Sequence, residues 1–157
     1  MKKFDLIIIG AGRASNLAVS ASKKGFKVAL IEKQTLGGTC PNRGCVPSKL
    51  LIGYAHVSRS IKEASRHYID ASINHIDVEK IFEETNKYVL SIDSTYNKKF
   101  NENVTVFKGT ASFESNNIIK VNDELLSSSK IVIATGTKPI IAAHEKAWTS
   151  DDIFPLI

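Results

Sequence analysis

The sequence predicts an α/β fold in which a βαβ unit and its parallel sheet are followed by two long helices and a small β-meander. Residues 4–10 (FDLIIIG) are a continuous apolar run, which is typical of a parallel strand buried on both faces. Residues 45–68 and 77–100 instead carry apolar side chains at helical spacing. Residues 104–127 change again, to short segments separated by turn residues. A chain of 157 residues is long enough for one well-cored domain.

Composition argues against several kinds of partner. The chain is 43% hydrophobic and 24% charged, and no apolar run approaches the roughly 20 residues that a membrane span needs. The formal charge of +5 comes from scattered lysines and arginines, so we expect neither a nucleic-acid nor a membrane partner. The apolar run near the N-terminus stops at Gly10 without a small-residue cleavage site, so we expect a buried strand and a cytoplasmic protein.

The βαβ unit occupies the beginning of the chain. Residues 10–25 (GAGRASNLAVSASKKG) predict a tight turn followed by a helix, which Gly25 ends. Residues 26–32 (FKVALIE) predict the second strand. Strand, helix and strand together span about 30 residues, which is the length expected of a unit that binds a dinucleotide.

Three residues of this unit have the spacing of a dinucleotide site. Gly10 and Gly12 would let the backbone approach a pyrophosphate, which would lie at the N-terminus of the helix. Glu32, at the end of the second strand, would accept hydrogen bonds from a ribose diol. Ser15 stands where the pattern has a third glycine or alanine, and we expect it to widen the helix–strand packing slightly. These features predict a Rossmann-like nucleotide-binding unit, without deciding between FAD and NAD.

A glycine-rich loop and two long helices follow. Residues 33–44 predict the loop. The first helix is expected to begin at Cys45 and to run to about Tyr68. The second is expected over about 77–100, with Asp77 as its N-cap.

Short strands and a departing tail account for the rest of the chain. A small meander is expected from four segments, at residues 104–109, 110–114, 117–121 and 124–127. Residues 130–136 (KIVIATG) predict another apolar strand, which ends in a glycine turn. The tail, which starts with TSDDIF at Thr149, is expected to leave the domain.

The only two cysteines, Cys40 and Cys45, have three possible explanations from the residues alone. A zinc site needs about four ligands. None of the four histidines has ligand spacing to the cysteine pair: His56, His67, His75 and His144. A structural disulfide would close a very small loop in a chain that has its own core, and a reducing compartment disfavours it. A redox-active dithiol would use the helix N-terminus at Cys45 to stabilise a thiolate.

The segment GGTCPNRGCVPSK (37–49) resembles the active-site segment of the class I pyridine nucleotide–disulfide oxidoreductases, which include dihydrolipoamide dehydrogenase, glutathione reductase and mercuric reductase. The family pattern G-G-x-C-x4-C-x-P is matched at Gly37, Gly38, Cys40, Cys45 and Pro47. Pro41 departs from it, since the family usually carries an aliphatic residue there. IVIATG (131–136) resembles the family's second flavin motif, and TSDDIF (149–154) resembles its connector to an NAD(P) domain.

This resemblance implies an FAD-dependent disulfide oxidoreductase, which would exchange electrons with NAD or NADP in the complete enzyme. Cys45 would be the sulfur that faces the flavin, and Cys40 would exchange with the disulfide substrate. Lys49 would lie near the flavin N5 and stabilise the reduced ring, although a solvated lysine of the first helical turn is the alternative. The resemblance assigns cofactor contacts to Gly10, Gly12, Ser15, Glu32, Lys33, Gly38, Thr39, Lys49, Ala111, Ala134, Thr135 and Gly136.

Members of this family continue into an NAD(P) domain and a C-terminal dimerisation domain. We therefore expect residues 1–150 to be the N-terminal part of an FAD-binding domain, and residues 151–157 to begin the connector. The complete enzyme would be a homodimer that acts on a small-molecule or protein-bound disulfide. The alternative is a nucleotide-binding or scaffold module, or one part of a split enzyme, without reductase activity of its own.

Overall fold

The computed structural model of the chain describes residues 1–141 and 147–155, so His144 lies outside the described residues. In chain order the strands are β1 (Lys2–Lys3), β2 (Leu6–Ile9), β3 (Val28–Glu32), β4 (Val104–Lys108), β5 (Ala111–Ser115), β6 (Ile118–Val121), β7 (Glu124–Ser127) and β8 (Ile131–Ile133). The helices are α1 (Ser15–Ser22), α2 (Thr39–Arg43), α3 (Cys45–Glu63), α4 (Val78–Asn97) and α5 (Ser150–Ile153), with a 3₁₀ turn at Ala64–His67 after α3.

The chain divides into two compact units. The first contains Met1–Thr39 and Ile92–Ala142, and therefore holds all eight strands among the described residues. The second contains Cys40–Ser91 and Ala143–Ile157, and its regular elements among the described residues are all helices.

The first unit contains a parallel four-stranded sheet in the order β4-β3-β2-β8. The predicted strand at 4–10 is confirmed as β2, whose central residues Ile7 and Ile8 are fully buried. Its neighbour β3 is buried over its first four residues, which confirms the second predicted strand. A core cluster covers each face of β2, with Ile7 and Ile9 in one cluster and Leu6 and Ile8 in the other, and this explains its continuous apolar sequence.

The prediction that residues 104–109 belong to the meander is wrong. They form β4, which pairs in parallel with β3, so that Glu32 lies opposite Lys108. The reason is that β4 packs on both of its faces. Val104 and Val106 pack on the side of α1. On the other side the ring of Phe107 packs edge-on against the ring of Phe4, with the ring centroids 5.8 Å apart. Turn spacing detects a short strand, but it does not identify the partner with which the strand pairs.

The other three predicted segments do form a meander. β5, β6 and β7 are antiparallel neighbours, and β1 adds in parallel to the free side of β7. This second sheet contributes Ile119, Val121 and Leu126 to one core cluster, together with side chains of the parallel sheet such as Ile7 and Ile31. The first unit therefore has a core between its two sheets.

On its other face the parallel sheet packs against α1. Ala18 of α1 is fully buried against side chains that include Ile8 and Leu30. The helix ends before Gly25, which has a φ of +83°, as expected for a glycine that terminates a helix. The sheet and α1 together place the turn between β2 and α1 at the carboxyl edge of the strands, where nucleotides bind in folds of this kind.

The second unit begins with a short helix that the sequence did not predict. Residues 33–44 were expected to be a loop, but α2 occupies five of them and carries Cys40. The helix α3 begins at Cys45 as predicted and ends at Glu63, after which the 3₁₀ turn continues to His67. Such a tighter last turn is common at helix ends and cannot be distinguished from α-helix by apolar spacing.

The predicted N-cap of α4 is confirmed. The amide of Lys80 donates a 2.8 Å hydrogen bond to Oδ1 of Asp77, which satisfies one of the free donors of the first turn. Among the described residues, the structure contains no helix with the length and apolar character needed to cross a membrane. The domain boundary predicted at residue 150 is not tested by these observations and stays a prediction.

Candidate functional site

The turn between β2 and α1 requires glycine at position 10. The amide of Gly10 donates to the carbonyl of Ile31 at 2.7 Å, and its φ of +104° disfavours any side chain. A Cβ at Gly10 would also overlap the carbonyl oxygen of Ala134, whose own amide donates to Ile9 at 2.8 Å. The structure thus brings the predicted residues Gly10, Ala134 and Thr135 together at one edge of the sheet.

The same turn is approached closely by the glycine-rich loop. Gly37 donates its amide to the carbonyl of Ala11 at 2.8 Å, and Gly38 has a φ of +72°. A Cβ on Gly38 would come within 2.8 Å of the Cα of Gly12, closer than real Cβ atoms approach. Two backbone segments therefore touch here without side chains between them, and the contact requires glycine at position 38.

The N-terminus of α1 has free hydrogen-bond donors. In the described parts of the chain, no hydrogen bond uses the amides of Gly12, Arg13 or Ala14. Amides at a helix start attract anions, because they combine free N–H groups with the positive end of the helix dipole. The turn therefore fits the pyrophosphate of a dinucleotide.

Glu32 lies beside this turn and is oriented by two backbone amides. Ala11 donates to its Oε2 and Gln34 donates to its Oε1, each at 2.8 Å. A carboxylate has about four acceptor sites, so two remain for hydroxyl groups of a ribose. The carboxylate is thus held at the end of β3 with acceptor capacity to spare, which fits the ribose of a dinucleotide; its contact with a ribose stays a prediction.

The remaining predicted cofactor residues of the first unit differ in exposure. Ser15 is only 3% exposed, and its hydroxyl donates to the carbonyl of Gly12 at 2.8 Å, so it stabilises the turn from inside. Ala111 begins β5, two residues after Gly109, whose amide donates to the carbonyl of Glu32 at 3.0 Å. Lys33, Thr39, Thr135 and Gly136 are exposed. Their contacts with a cofactor stay predictions.

Two residues that hold the glycine-rich loop were not identified from the sequence. Asp93 of α4 accepts the amide of Leu36 at 2.7 Å and the ammonium of Lys108 at 2.8 Å, both on Oδ1. Lys108 also donates to the carbonyl of Gln34 at 3.1 Å. Desolvation would raise the pKa of Asp93, but the hydrogen bonds from Lys108 and Leu36 and the charge of Lys108 lower it overall. No local sequence pattern predicts these contacts of Asp93, because Asp93 and Leu36 are 57 positions apart in the chain.

The second unit contains the cysteine pair. Cys40 of α2 and Cys45, the first residue of α3, are joined by a disulfide with their Cα atoms 4.7 Å apart. Both residues are exposed. The hydroxyl of Ser48 donates to the carbonyl of Gly44 at 2.6 Å, next to the start of the helix. The structure therefore supports the disulfide-forming explanations of the cysteines, with Cys45 at a helix N-terminus where a thiolate is stabilised.

Lys49 lies in the first turns of α3 and is exposed. Exposure at this position is compatible both with a flavin contact and with a solvated lysine. Its assignment to the flavin stays a prediction.

The comparisons with known proteins agree with this arrangement. The family model for pyridine nucleotide-disulphide oxidoreductases matches residues 4–152, so the chain belongs to that family. A dihydrolipoyl dehydrogenase of Chlamydia trachomatis is 36% identical over 141 residues, which cover 87% of this chain and 30% of that protein. A mercuric reductase of Lysinibacillus sphaericus is 34% identical over 139 residues, which cover 87% of this chain and 26% of that protein.

A solved structure shares the fold as well. The HOCl-induced flavoprotein disulfide reductase RclA from Escherichia coli superposes with a TM-score of 0.73 at 29% identity, over 88% of this chain and 29% of that one. The predicted α/β fold and the predicted family are confirmed. The family uses FAD and NAD(P)H. The chain spans about a third or less of the length of these relatives.

Proposed function

We propose that this chain is the N-terminal part of an FAD-binding domain in an NAD(P)H-dependent disulfide oxidoreductase. Residues 1–150 would carry the FAD site and the dithiol, and residues 151–157 would begin the connector to an NAD(P) domain. The proposal is supported by the family match and by the resemblance of TSDDIF to the family's connector. The complete enzyme would be a cytoplasmic homodimer that acts on a small-molecule or protein-bound disulfide.

One observation supports FAD binding above the others. Gly12 and Gly38 meet without side chains in the turn that follows Gly10. The amides of residues 12–14 bond no other described group there, and the carboxylate of Glu32 is held beside the turn. This combination provides donors for phosphate and acceptors for ribose at the same sheet edge. Contacts through Ala111, Ala134, Thr135 and Gly136 would extend the site along that edge.

The dithiol would carry the two-electron chemistry. Bound FAD supplies hydride and electron transfer between a nicotinamide and sulfur. Reduction of the Cys40–Cys45 bond takes up two electrons and two protons and leaves two thiols. Cys45, at the start of α3, would be held as a thiolate towards the flavin, while Cys40 exchanges with the substrate disulfide. Only Thr39 separates Cys40 from Gly38 in the sequence.

A substitution at Gly12 tests the FAD site without disturbing the fold. A Cβ at this position would lie 3.7 Å from the Cα of Gly38, which is an ordinary contact, so Gly12→Ala should fold normally. Its methyl group would stand where a phosphate approaches the amides of the turn. We expect the wild-type chain to become yellow with added FAD, and Gly12→Ala to bind FAD at least about tenfold more weakly, since a displaced phosphate loses charge-assisted hydrogen bonds.

Fluorescence titration with FAD and thermal unfolding of both proteins give the two readouts. Gly53→Ala serves as the matched control, because a Cβ at Gly53 meets no atom within 4 Å. Failure of the wild-type chain to bind FAD would favour the alternative of a scaffold module. Equal FAD affinity in Gly12→Ala and the wild type would remove the turn from the cofactor site.

A further inference from the structure

The segment between the two cysteines contains a charged side chain that forms an ion pair with another segment of the chain. Arg43 is the last residue of α2, and its Nε lies 3.4 Å from Oδ1 of Asp151 in α5. The side chain of Arg43 is 24% exposed and that of Asp151 is 44% exposed. This ion pair joins the segment between the two cysteines to the TSDDIF motif. The proposed nucleotide and disulfide chemistry does not use either side chain.

The motif assigns different tasks to its two neighbouring acids. Asp152 completes a capping box with Thr149, the N-cap of α5: the amide and the hydroxyl of Thr149 both donate to Oδ2 of Asp152 at 2.7 Å. These hydrogen bonds lower the pKa of Asp152. The amide of Asp151 donates in turn to the hydroxyl of Thr149 at 3.2 Å. With Asp152 engaged in the cap, the carboxylate of Asp151 faces Arg43.

Arg43 lies within the covalent loop that the Cys40–Cys45 disulfide closes. Arg43 lies two residues before Cys45, so their Cα atoms are within about 8 Å of each other, and this distance is about one Debye length in physiological salt. A nearby cation stabilises a thiolate and not the neutral disulfide, and it therefore favours the reduced state. A carboxylate paired with that cation opposes this effect.

We propose that Asp151 is a positioning residue, which holds the guanidinium of Arg43 and offsets its charge, so that the Cys40–Cys45 disulfide is harder to reduce than Arg43 alone would make it. This inference rests on the proposed redox function of the cysteine pair. It gives the TSDDIF motif a role in setting the redox equilibrium of the dithiol, in addition to its proposed place at the start of a connector.

The equilibrium can be measured without any cofactor. The full 157-residue chain is equilibrated with mixtures of reduced and oxidised dithiothreitol at constant pH, and free thiols are then counted after alkylation. One dithiothreitol molecule gives up two electrons and two protons and closes its own S–S bond, while the Cys40–Cys45 bond opens to two thiols. The equilibrium constant of this exchange is the readout.

Neutral substitutions on each side of the ion pair should shift the constant in opposite directions. Asp151→Asn should raise it about two- to five-fold, or about 9 to 21 mV for a two-electron couple, because the pair is partly exposed and screened. Arg43→Gln should lower it by a similar factor. The double variant Arg43→Gln/Asp151→Asn should return close to the wild-type value. Asp70→Asn is the control, since it changes the net charge equally at an exposed position of the same unit.

Salt provides a readout that a structural role of Asp151 would not change. The effect of Asp151→Asn should shrink in 1 M sodium chloride, where the Debye length falls to about 3 Å. An unchanged constant in Asp151→Asn, or an equal shift in Asp70→Asn, would overturn the inference. If FAD fails to bind but the shift persists, the proposed function fails and this inference stands; if FAD binds but no shift occurs, only this inference fails.

Discussion

Replacing Gly38 with alanine tests the backbone contact between the glycine-rich loop and the turn at Gly12. Gly38 has a φ of +72°, and an added Cβ would come within 2.8 Å of the Cα of Gly12. Gly25 provides a matched comparison, because its φ of +83° is similar but a Cβ there meets nothing within 4 Å. The two substitutions therefore share the cost of a left-handed alanine, and only Gly38→Ala adds the overlap.

The expected magnitudes follow from these two terms. A left-handed conformation costs an alanine about 1–2 kcal/mol, which is the whole effect expected of Gly25→Ala. Carbon atoms pack best at about 3.5–4.0 Å, so the overlap at Gly38 requires a shift of about 1 Å and costs about 1–3 kcal/mol more. We therefore expect Gly38→Ala to lower the free energy of unfolding by about 2–5 kcal/mol.

Urea unfolding followed by circular dichroism measures both variants against the wild type. Titration with FAD gives a second readout, because the shift needed at Gly38 would also move Gly12 and weaken cofactor binding, whereas Gly25→Ala should leave the affinity unchanged. Equal losses of stability in the two variants would refute the close contact between the glycine-rich loop and the turn.

Three further outcomes are expected. In the FAD-loaded chain, Cys45→Ser should abolish the long-wavelength absorption that a thiolate against flavin produces on reduction, and Cys40→Ser should retain it; the reverse pattern would exchange the roles of the two sulfurs. Asp93→Asn should lower the free energy of unfolding at pH 7 by about 1 kcal/mol, because it weakens charge-assisted hydrogen bonds that are screened at a partly exposed site. Because folding lowers the pKa of Asp93, the stabilisation by its carboxylate is present above the unfolded pKa of about 3.9 and is lost as the pH falls through the folded pKa. The unfolding free energies of the wild type and Asp93→Asn should therefore converge in acid. A difference in urea unfolding that does not change with pH would contradict this. Gly53→Ala should raise the free energy of unfolding by about 0.5–1 kcal/mol, because Gly53 lies inside α3 and a Cβ there meets no atom within 4 Å. A loss of stability would contradict this expectation.

Features with a local cause were predictable from the sequence. The buried strand β2 follows from a continuous apolar run, and Asp77 follows from the hydrogen-bonding capacity of an acid before a helix. The turn at Gly10 and the start of α3 at Cys45 were also predicted, since glycine and proline constrain the backbone within a few residues.

Features that depend on a distant partner were not predictable. The membership of β4 in the parallel sheet depends on its register with β3, and turn spacing carries no information about that register. The role of Asp93 depends on the amide of Leu36, and the role of Asp151 depends on Arg43, each supplied by a different element. An exposed acid on a helix has the same local sequence signature whether or not such a partner exists.

The sequence by itself thus determined the glycine turn at Gly10, the acid at the end of β3 and the cysteine pair, because each is encoded by a few neighbouring residues whose backbone and chemical requirements are strict. Only the tertiary structure decided which groups hold these residues in place. That choice depends on which strands pair and which helix ends meet a loop, and these are properties of the packed chain.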